Sequence, residues 1–183
     1  MSRDTELFSK QTGRQLSRIV YSREEIRRRV VDMALEISEA YDSEDEILVL
    51  GLLKGSFIFL ADLVREIQHP LQVDFLVASS YGNSTRTSGE VRLLYDPEAS
   101  LSGRSVILVE DIIDSGTTLN RLVPLLEARG PRSLEICALL HKRVAVQDRE
   151  PRWVGFDAPQ EFLVGYGLDY SENFRHLPFI GSL

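Results

Sequence analysis

Residues 110–118 read Glu110-Asp111-Ile112-Ile113-Asp114-Ser115-Gly116-Thr117-Thr118, so three carboxylates, three hydroxyls and a glycine fall within nine positions. Where a helix begins, hydroxyls and backbone N–H groups around a residue without Cβ bind phosphate, because the first turn offers orphan donors and the positive end of its dipole. Carboxylates that follow an apolar strand are costly to place there unless they are used. The chemistry these residues can do together is to cradle a phosphate beside paired acids.

Positioning them takes a strand before and a helix after. Residues 105–109, mostly Val, Ile and Leu, suit a strand covered on both faces of a parallel sheet, with Glu110 and Asp111 at its carboxyl end, where open α/β sheets place ligands. A helix then runs to Arg129 and is stopped by Gly130-Pro131, while Pro124 inside it should remove one backbone hydrogen bond and kink the axis. Residues 47–53 and 71–79 read as strands flanking a helix at 56–68, and residues 133–140 as a further strand. Such alternation builds a mostly parallel sheet wrapped by helices. Ser22 and Glu25 form a capping-box pattern ahead of Ile26, Val30, Met33, Ala34 and Ile37, which recur at helical spacing to about Tyr41. Arg27, Arg28 and Arg29 in that helix read as a solvated face interleaved with Glu24, Glu25 and Asp32. Residues 81–90 are polar and bounded by glycine, as in a loop between strands.

With 183 residues and 43% hydrophobic content the chain can bury one sizeable core. Residues 1–14 read as a flexible tail, residues 15–183 as one domain, and residues 151–183, rich in aromatics, as a contribution to a small hood. The single Cys137 lies in an apolar run, which excludes an internal disulfide framework and points to a reduced thiol in a cytoplasmic setting. The net charge of −7 argues against general nucleic-acid binding, and no apolar run is long enough for a bilayer.

The strand ending in two acids and followed by Asp-Ser-Gly-x-Thr resembles the phosphoribosyl pyrophosphate (PRPP) motif of the type I phosphoribosyltransferases. Three more stretches fit the bacterial hypoxanthine branch of that family: Gly51-Leu52-Leu53-Lys54-Gly55-Ser56, Ala78-Ser79-Ser80-Tyr81-Gly82, and Phe162-Leu163-Val164-Gly165-Tyr166-Gly167-Leu168-Asp169-Tyr170. Four blocks in the right order, spanning about residues 16 to 181, are far more specific than one short motif.

The resemblance implies an α/β type I phosphoribosyltransferase fold, with a central mostly parallel sheet, flanking helices and a small C-terminal hood. It also implies transfer of phosphoribose from PRPP to hypoxanthine, and to guanine, releasing pyrophosphate, with Mg²⁺ as cofactor. On this likeness Asp114, Ser115, Gly116, Thr117 and Thr118 hold the 5-phosphate, and Glu110 and Asp111 face the ribose and the metal. Asp114 is the base or proton relay at purine N7, with a helix N-cap as its other possible role. Lys54, Gly55 and Arg175 meet pyrophosphate, and the Leu53–Lys54 peptide is expected to be cis. Lys142 donates to the purine 6-oxo group, Phe162 stacks on the ring, Leu163 offers backbone groups to the base edge, and Asp169 lies by the base and holds a second metal through water. Ser80 and Tyr81 open the loop that closes over the reacting centre. Members of the family form dimers or tetramers. His141, Trp153, Tyr166 and Tyr170 read as structural.

Two other readings compete. An RNA-binding regulator of pyrimidine genes can share the fold and the motif, though the acidic charge and the purine-type stretch 162–170 count against it. Another transferase of the family, for xanthine, guanine or a pyrimidine, would differ only in the pocket.

Overall fold

The computed structural model describes residues 16–80, 91–144 and 146–183. Tyr81 and the rest of the expected loop at 81–90 therefore lie outside the described residues, as does the tail at 1–14. Ser80 is the last residue of a strand.

Six strands form the main sheet, in the order β4-β3-β2-β5-β6-β7: β2 (Ile47–Leu53), β3 (Leu71–Ser80), β4 (Val91–Tyr95), β5 (Ser105–Ile113), β6 (Ser133–His141) and β7 (Trp153–Asp157). All neighbours are parallel except β3 and β4. The inner strands read as continuous apolar runs because both faces are covered. Val49, Ile107 and Val109 face α1 (Arg23–Glu39) and α2 (Phe57–Glu66), while Leu48, Leu50, Val106 and Leu108 face α3 (Thr117–Glu127).

The first helix forms as its sequence implies. Ser22 Oγ accepts from the Glu25 N–H, the Glu25 carboxylate accepts from the Ser22 N–H, and Ile26, Val30, Met33, Ala34 and Ile37 are buried. Arg29 departs from the solvated-face reading. It donates to the carbonyls of Val154 and Gly155 at 2.7 and 3.0 Å and pairs with Glu36, so it fastens α1 to β7. In α3 the helix continues through Pro124, which lies on the exposed face.

A second sheet of three strands, β1-β9-β8, forms the hood. It combines β1 (Arg18–Tyr21) with β8 (Leu163–Val164) and β9 (Ile180–Ser182), over a small core of Leu16, Val164, Phe174, Leu177 and Phe179. The hood thus recruits residues 18–21 from the other end of the chain, while β7 joins the main sheet.

The site is set by where the sheet divides. From β2 the chain proceeds to β3 and β4 on one side, and β5, β6 and β7 extend the other side. Ligands bind at the carboxyl ends of the strands at such a switch point. Pairing of β2 with β5 ends at Gly51 opposite Val109, whereas β6 follows β5 to Ile113 opposite His141. The strand is therefore longer than residues 105–109: Glu110 and Asp111 lie inside it, on the edge that β2 has left.

Candidate active site

Asp111 and Glu110 form the floor. Burial and the neighbouring Asp111 hold the Glu110 carboxyl well above the ordinary carboxylate range, and its Oε2 is buried without a partner. Asp111 is pushed up to about 6 by burial, with backbone N–H groups and Arg175 pulling the other way. Acids kept this dry are poised for a cation or for hydroxyl donors. Against them comes the turn after β2, where the Leu53–Lys54 peptide is cis. A Cβ on Gly55 would collide with the Asp111 carboxylate, and a Cβ on Gly167 would collide with the Gly55 carbonyl. Three chain segments therefore meet here with no room for a side chain.

The turn expected to hold phosphate follows β5. Gly116, at φ 78°, is the N-cap of α3 and has no side chain to cap it, while Ser115 Oγ accepts from the Thr117 N–H at 3.4 Å. Asp114 is therefore not the N-cap, because the left-handed glycine takes that position two residues later. A Cβ on Gly116 would strike the Val146 carbonyl, so the β6–β7 connection packs onto the turn. Asn120 fastens it, donating to Val146 O at 2.8 Å and accepting from the Asp148 N–H at 2.9 Å. Ser115 and Thr117 hydroxyls bond each other at 3.0 Å. The α3 first-turn N–H groups have no intrahelical acceptor.

Asp114, with its side chain 64% exposed, meets Lys142 at 3.0 Å. Lys142 is 8% exposed, and its own N–H bonds the Ile113 carbonyl, which fixes its backbone at the end of β6. These two side chains, with Asp111, Ile112, Phe162, Leu163, Leu168 and Asp169, line a cavity of ≈ 220 Å³. Phe162 is 53% exposed, with Tyr170 edge-on to its ring at 5.7 Å, so it is not simple core. Leu163 is buried in β8, the edge of the small sheet, where one row of backbone groups is left outside the ladder. A larger cavity, ≈ 380 Å³, lies elsewhere, between α1, α2 and residues 176–178.

On the far wall Arg175 pairs with Asp169 at 2.8 Å and donates to the Gly167 carbonyl at 2.8 Å, and its Nε is buried without a partner. Asp169 also accepts from the Glu172 N–H. Glu172 is a participant that sequence reasoning missed. Its carboxylate lies 3.0 Å from Lys54 Nζ and 3.5 Å from Arg175 Nη2, bridging the two cations expected to meet pyrophosphate. Asp62, Tyr166 and Asn120 were likewise passed over. The one available signal was the spacing of Glu172 to Arg175.

Oxygen donors of this kind fit Mg²⁺, which keeps several waters and is usually held by one or two carboxylates plus substrate phosphates. Among the described residues no three His, Cys, Asp or Glu side chains converge as a closed cage would require. Glu110 and Asp111 present one edge and Asp169 the other, so any metal here would share its ligands with substrate. His141 is buried beside Lys142, near Gln147 at 3.1 Å, and burial holds its pKa low. It is structural. Cys137 is a free thiol inside the core. Among the described residues, no helix is long and apolar enough to cross a membrane.

Residues 19–171 match the phosphoribosyl transferase domain family. The chain belongs to that family. The hypoxanthine phosphoribosyltransferase of Salmonella typhimurium is 47% identical over 161 residues, covering 87% of this chain and 90% of its own. The hypoxanthine-guanine phosphoribosyltransferase of Bacillus subtilis is 43% identical over 169 residues, 92% of this chain and 93% of its own. Among solved structures, a Bacillus anthracis hypoxanthine-guanine phosphoribosyltransferase superposes with TM-score 0.87 at 44% identity, covering 92% of this chain and 99% of its own. In a phosphoribosyl transferase of this family, the central parallel sheet with flanking helices is the type I fold.

Proposed function

We propose that the chain works in purine salvage, transferring the 5-phosphoribosyl group of PRPP to N9 of hypoxanthine, and to guanine, with release of pyrophosphate. The single observation that carries the acceptor is the Asp114–Lys142 pair, 3.0 Å apart on the wall of the base-sized cavity. On a 6-oxopurine, N7 and the 6-oxo oxygen share one edge. A carboxylate and an ammonium held side by side match that edge, the ammonium donating to the oxygen and Asp114 managing the N7 proton. Adenine presents a donor where Lys142 presents another, and is disfavoured.

The donor sits across the cleft. The turn from Asp114 to Thr118 holds the 5-phosphate at the start of α3, and Glu110 and Asp111 accept from the ribose hydroxyls. The bond from C1′ to pyrophosphate weakens as positive charge grows on the ribose. Lys54, the Gly55 backbone and Arg175 bear the opposite charge on the leaving group. Phe162 stacks on the base, and Leu163 backbone groups meet its edge. Glu110 and Asp111 would hold Mg²⁺ and Asp169 a second ion through water, and the metal would supply charge neutralisation of the pyrophosphate.

The proposal extends to a cytoplasmic enzyme of two or four copies. The reduced buried Cys137 supports the compartment. The exposed Leu94 and Tyr95 on edge strand β4 support an assembly that covers them. Incubation with PRPP, Mg²⁺ and hypoxanthine should yield the nucleotide and pyrophosphate in equal amounts by mass spectrometry. PRPP consumption that does not depend on a base would count against the reaction.

A further inference from the structure

Tyr166 lines no part of the cavity beside Asp114, yet it sits in the turn that closes the opposite wall. Gly165, Tyr166 and Gly167 have φ of 99°, 50° and 102°. For a residue with a Cβ the left-handed region is unfavourable, so Tyr166 must be held there by its contacts. Its N–H bonds Leu177 O at 2.9 Å, and its hydroxyl donates to Asp62 Oδ2 at 2.6 Å. Burial and Asp62 together push the phenol's pKa upward, so it remains a donor. Arg65 pairs with the other oxygen of Asp62.

The consequence lies in what the two partners carry. Asp62 belongs to α2, the helix that follows directly on Lys54, Gly55 and Ser56. Tyr166 immediately precedes Gly167, which packs on the Gly55 carbonyl and whose own carbonyl receives Arg175. Gly55 in turn packs on Asp111. The Asp62–Tyr166 bond therefore ties the helix behind Lys54 and Gly55 to the turn in front of Asp169 and Arg175. It spans 104 positions in the chain, and neither partner lines the cavity beside Asp114.

We infer that Asp62 and Tyr166 are positioning residues for the pyrophosphate half of PRPP, holding the Lys54–Gly55 turn and the Arg175 turn at their working separation. This rests on the phosphoribosyl-transfer reading above. The base side is anchored mainly elsewhere, by Asp114 after β5, Lys142 after β6 and Phe162 ahead of β8, with Leu168 and Asp169 beyond the Tyr166 turn completing its cavity. Loss of the bond should therefore loosen PRPP far more than the base, which mere fold support would not do.

The test is steady-state kinetics of Tyr166→Phe, Asp62→Leu and Asp62→Asn, with thermal melting of each and calorimetric titration of PRPP with Mg²⁺. Tyr166→Phe and Asp62→Leu should each raise KM and Kd for PRPP about tenfold, as for loss of a hydrogen bond to a charged acceptor. KM for hypoxanthine should stay within about twofold, and the double variant should be no worse than either single one. Asp62→Asn keeps an acceptor for the phenol and should recover most of the PRPP affinity. If Tyr166→Phe does not fold, the comparison of Asp62→Leu with Asp62→Asn carries the same contrast. Equal rises in both KM values, or PRPP affinity unchanged in both Tyr166→Phe and Asp62→Leu, would overturn the inference. Wild-type turnover in the same assay keeps the two readings apart, since its absence sinks the transfer reaction, while normal wild-type turnover with unmoved variants sinks only the positioning role.

Discussion

Gly55 and Asp111 pack so closely that a Cβ on Gly55 would overlap the Asp111 carboxylate. The turn after β2 and the acid on β5 thus form one rigid corner, and the geometry of that corner depends on position 55 having no side chain. Gly55→Ala should lower kcat/KM about a hundredfold, the loss expected of a displacement near 1 Å at a reacting centre. Its circular dichroism spectrum should stay that of the wild type. Activity within a factor of three would show that the corner tolerates movement.

Asp111 carries a stability cost. Burial pushes its pKa up to about 6, against about 4 in an unfolded chain. The folded state holds the proton more tightly, so this contribution to stability is complete below the unfolded value and is lost as pH rises from about 4 to about 6. Asp111→Asn removes the cost and should stabilise the free protein at pH 7.5 by about 2 kcal/mol, or roughly 5 °C in Tm, while crippling turnover. At pH 4 the two should melt together. A variant less stable than wild type at pH 7.5 would contradict the burial argument.

The proposed reaction divides the work on the base between Asp114 and Lys142. Asp114→Asn should cut kcat by about a hundredfold or more with KM for hypoxanthine little changed, because proton management is lost and the shape is kept. Lys142→Gln should instead raise KM for hypoxanthine by about ten- to a hundredfold and narrow the preference over adenine. Stopped-time assays with both bases separate these effects, and an exchanged pattern would reverse the assigned roles.

If Lys54 and Arg175 meet pyrophosphate as proposed, Glu172 competes with the substrate. Its carboxylate bridges Lys54 and Arg175, where an anionic leaving group would need both cations. Both Lys54 and Glu172 are well exposed, so the effect is modest. Glu172→Gln should lower KM for PRPP about twofold, a gain that fades with added salt as screening weakens the original bridge. A higher KM at every salt concentration would make Glu172 a support for Arg175 instead.

How much of this was legible from residues alone follows from the range of the interactions. The Ser22–Glu25 cap, the spacing of the buried positions in α1 and the apolar runs of β2 and β6 are local, and each was readable. The helix start at Gly116 was readable for the same reason, whereas the packing of Val146 onto that glycine was not. What escaped depends on distant partners. β1 pairs with β9 from the other end of the chain, and β5 runs on to Ile113 only because β6 accompanies it after β2 has left. Arg29 looked like one of three surface arginines until β7 supplied two carbonyls. Tyr166 looked like packing because its acceptor, Asp62, lies in a helix 104 positions away. In the site, the chemical residue types were visible, while the contacts that hold them apart or together were not.

The central claim is that the Asp114–Lys142 pair beside the PRPP turn selects a 6-oxopurine. Its most direct test is kcat/KM for hypoxanthine, guanine, xanthine, adenine and uracil, measured with PRPP and Mg²⁺ on the wild-type protein. Hypoxanthine should lead, guanine should follow, and adenine should fall about a thousandfold or more below, because Lys142 would face a donor. Turnover of uracil alone, or salt-dependent RNA binding with no base-dependent use of PRPP, would contradict the account.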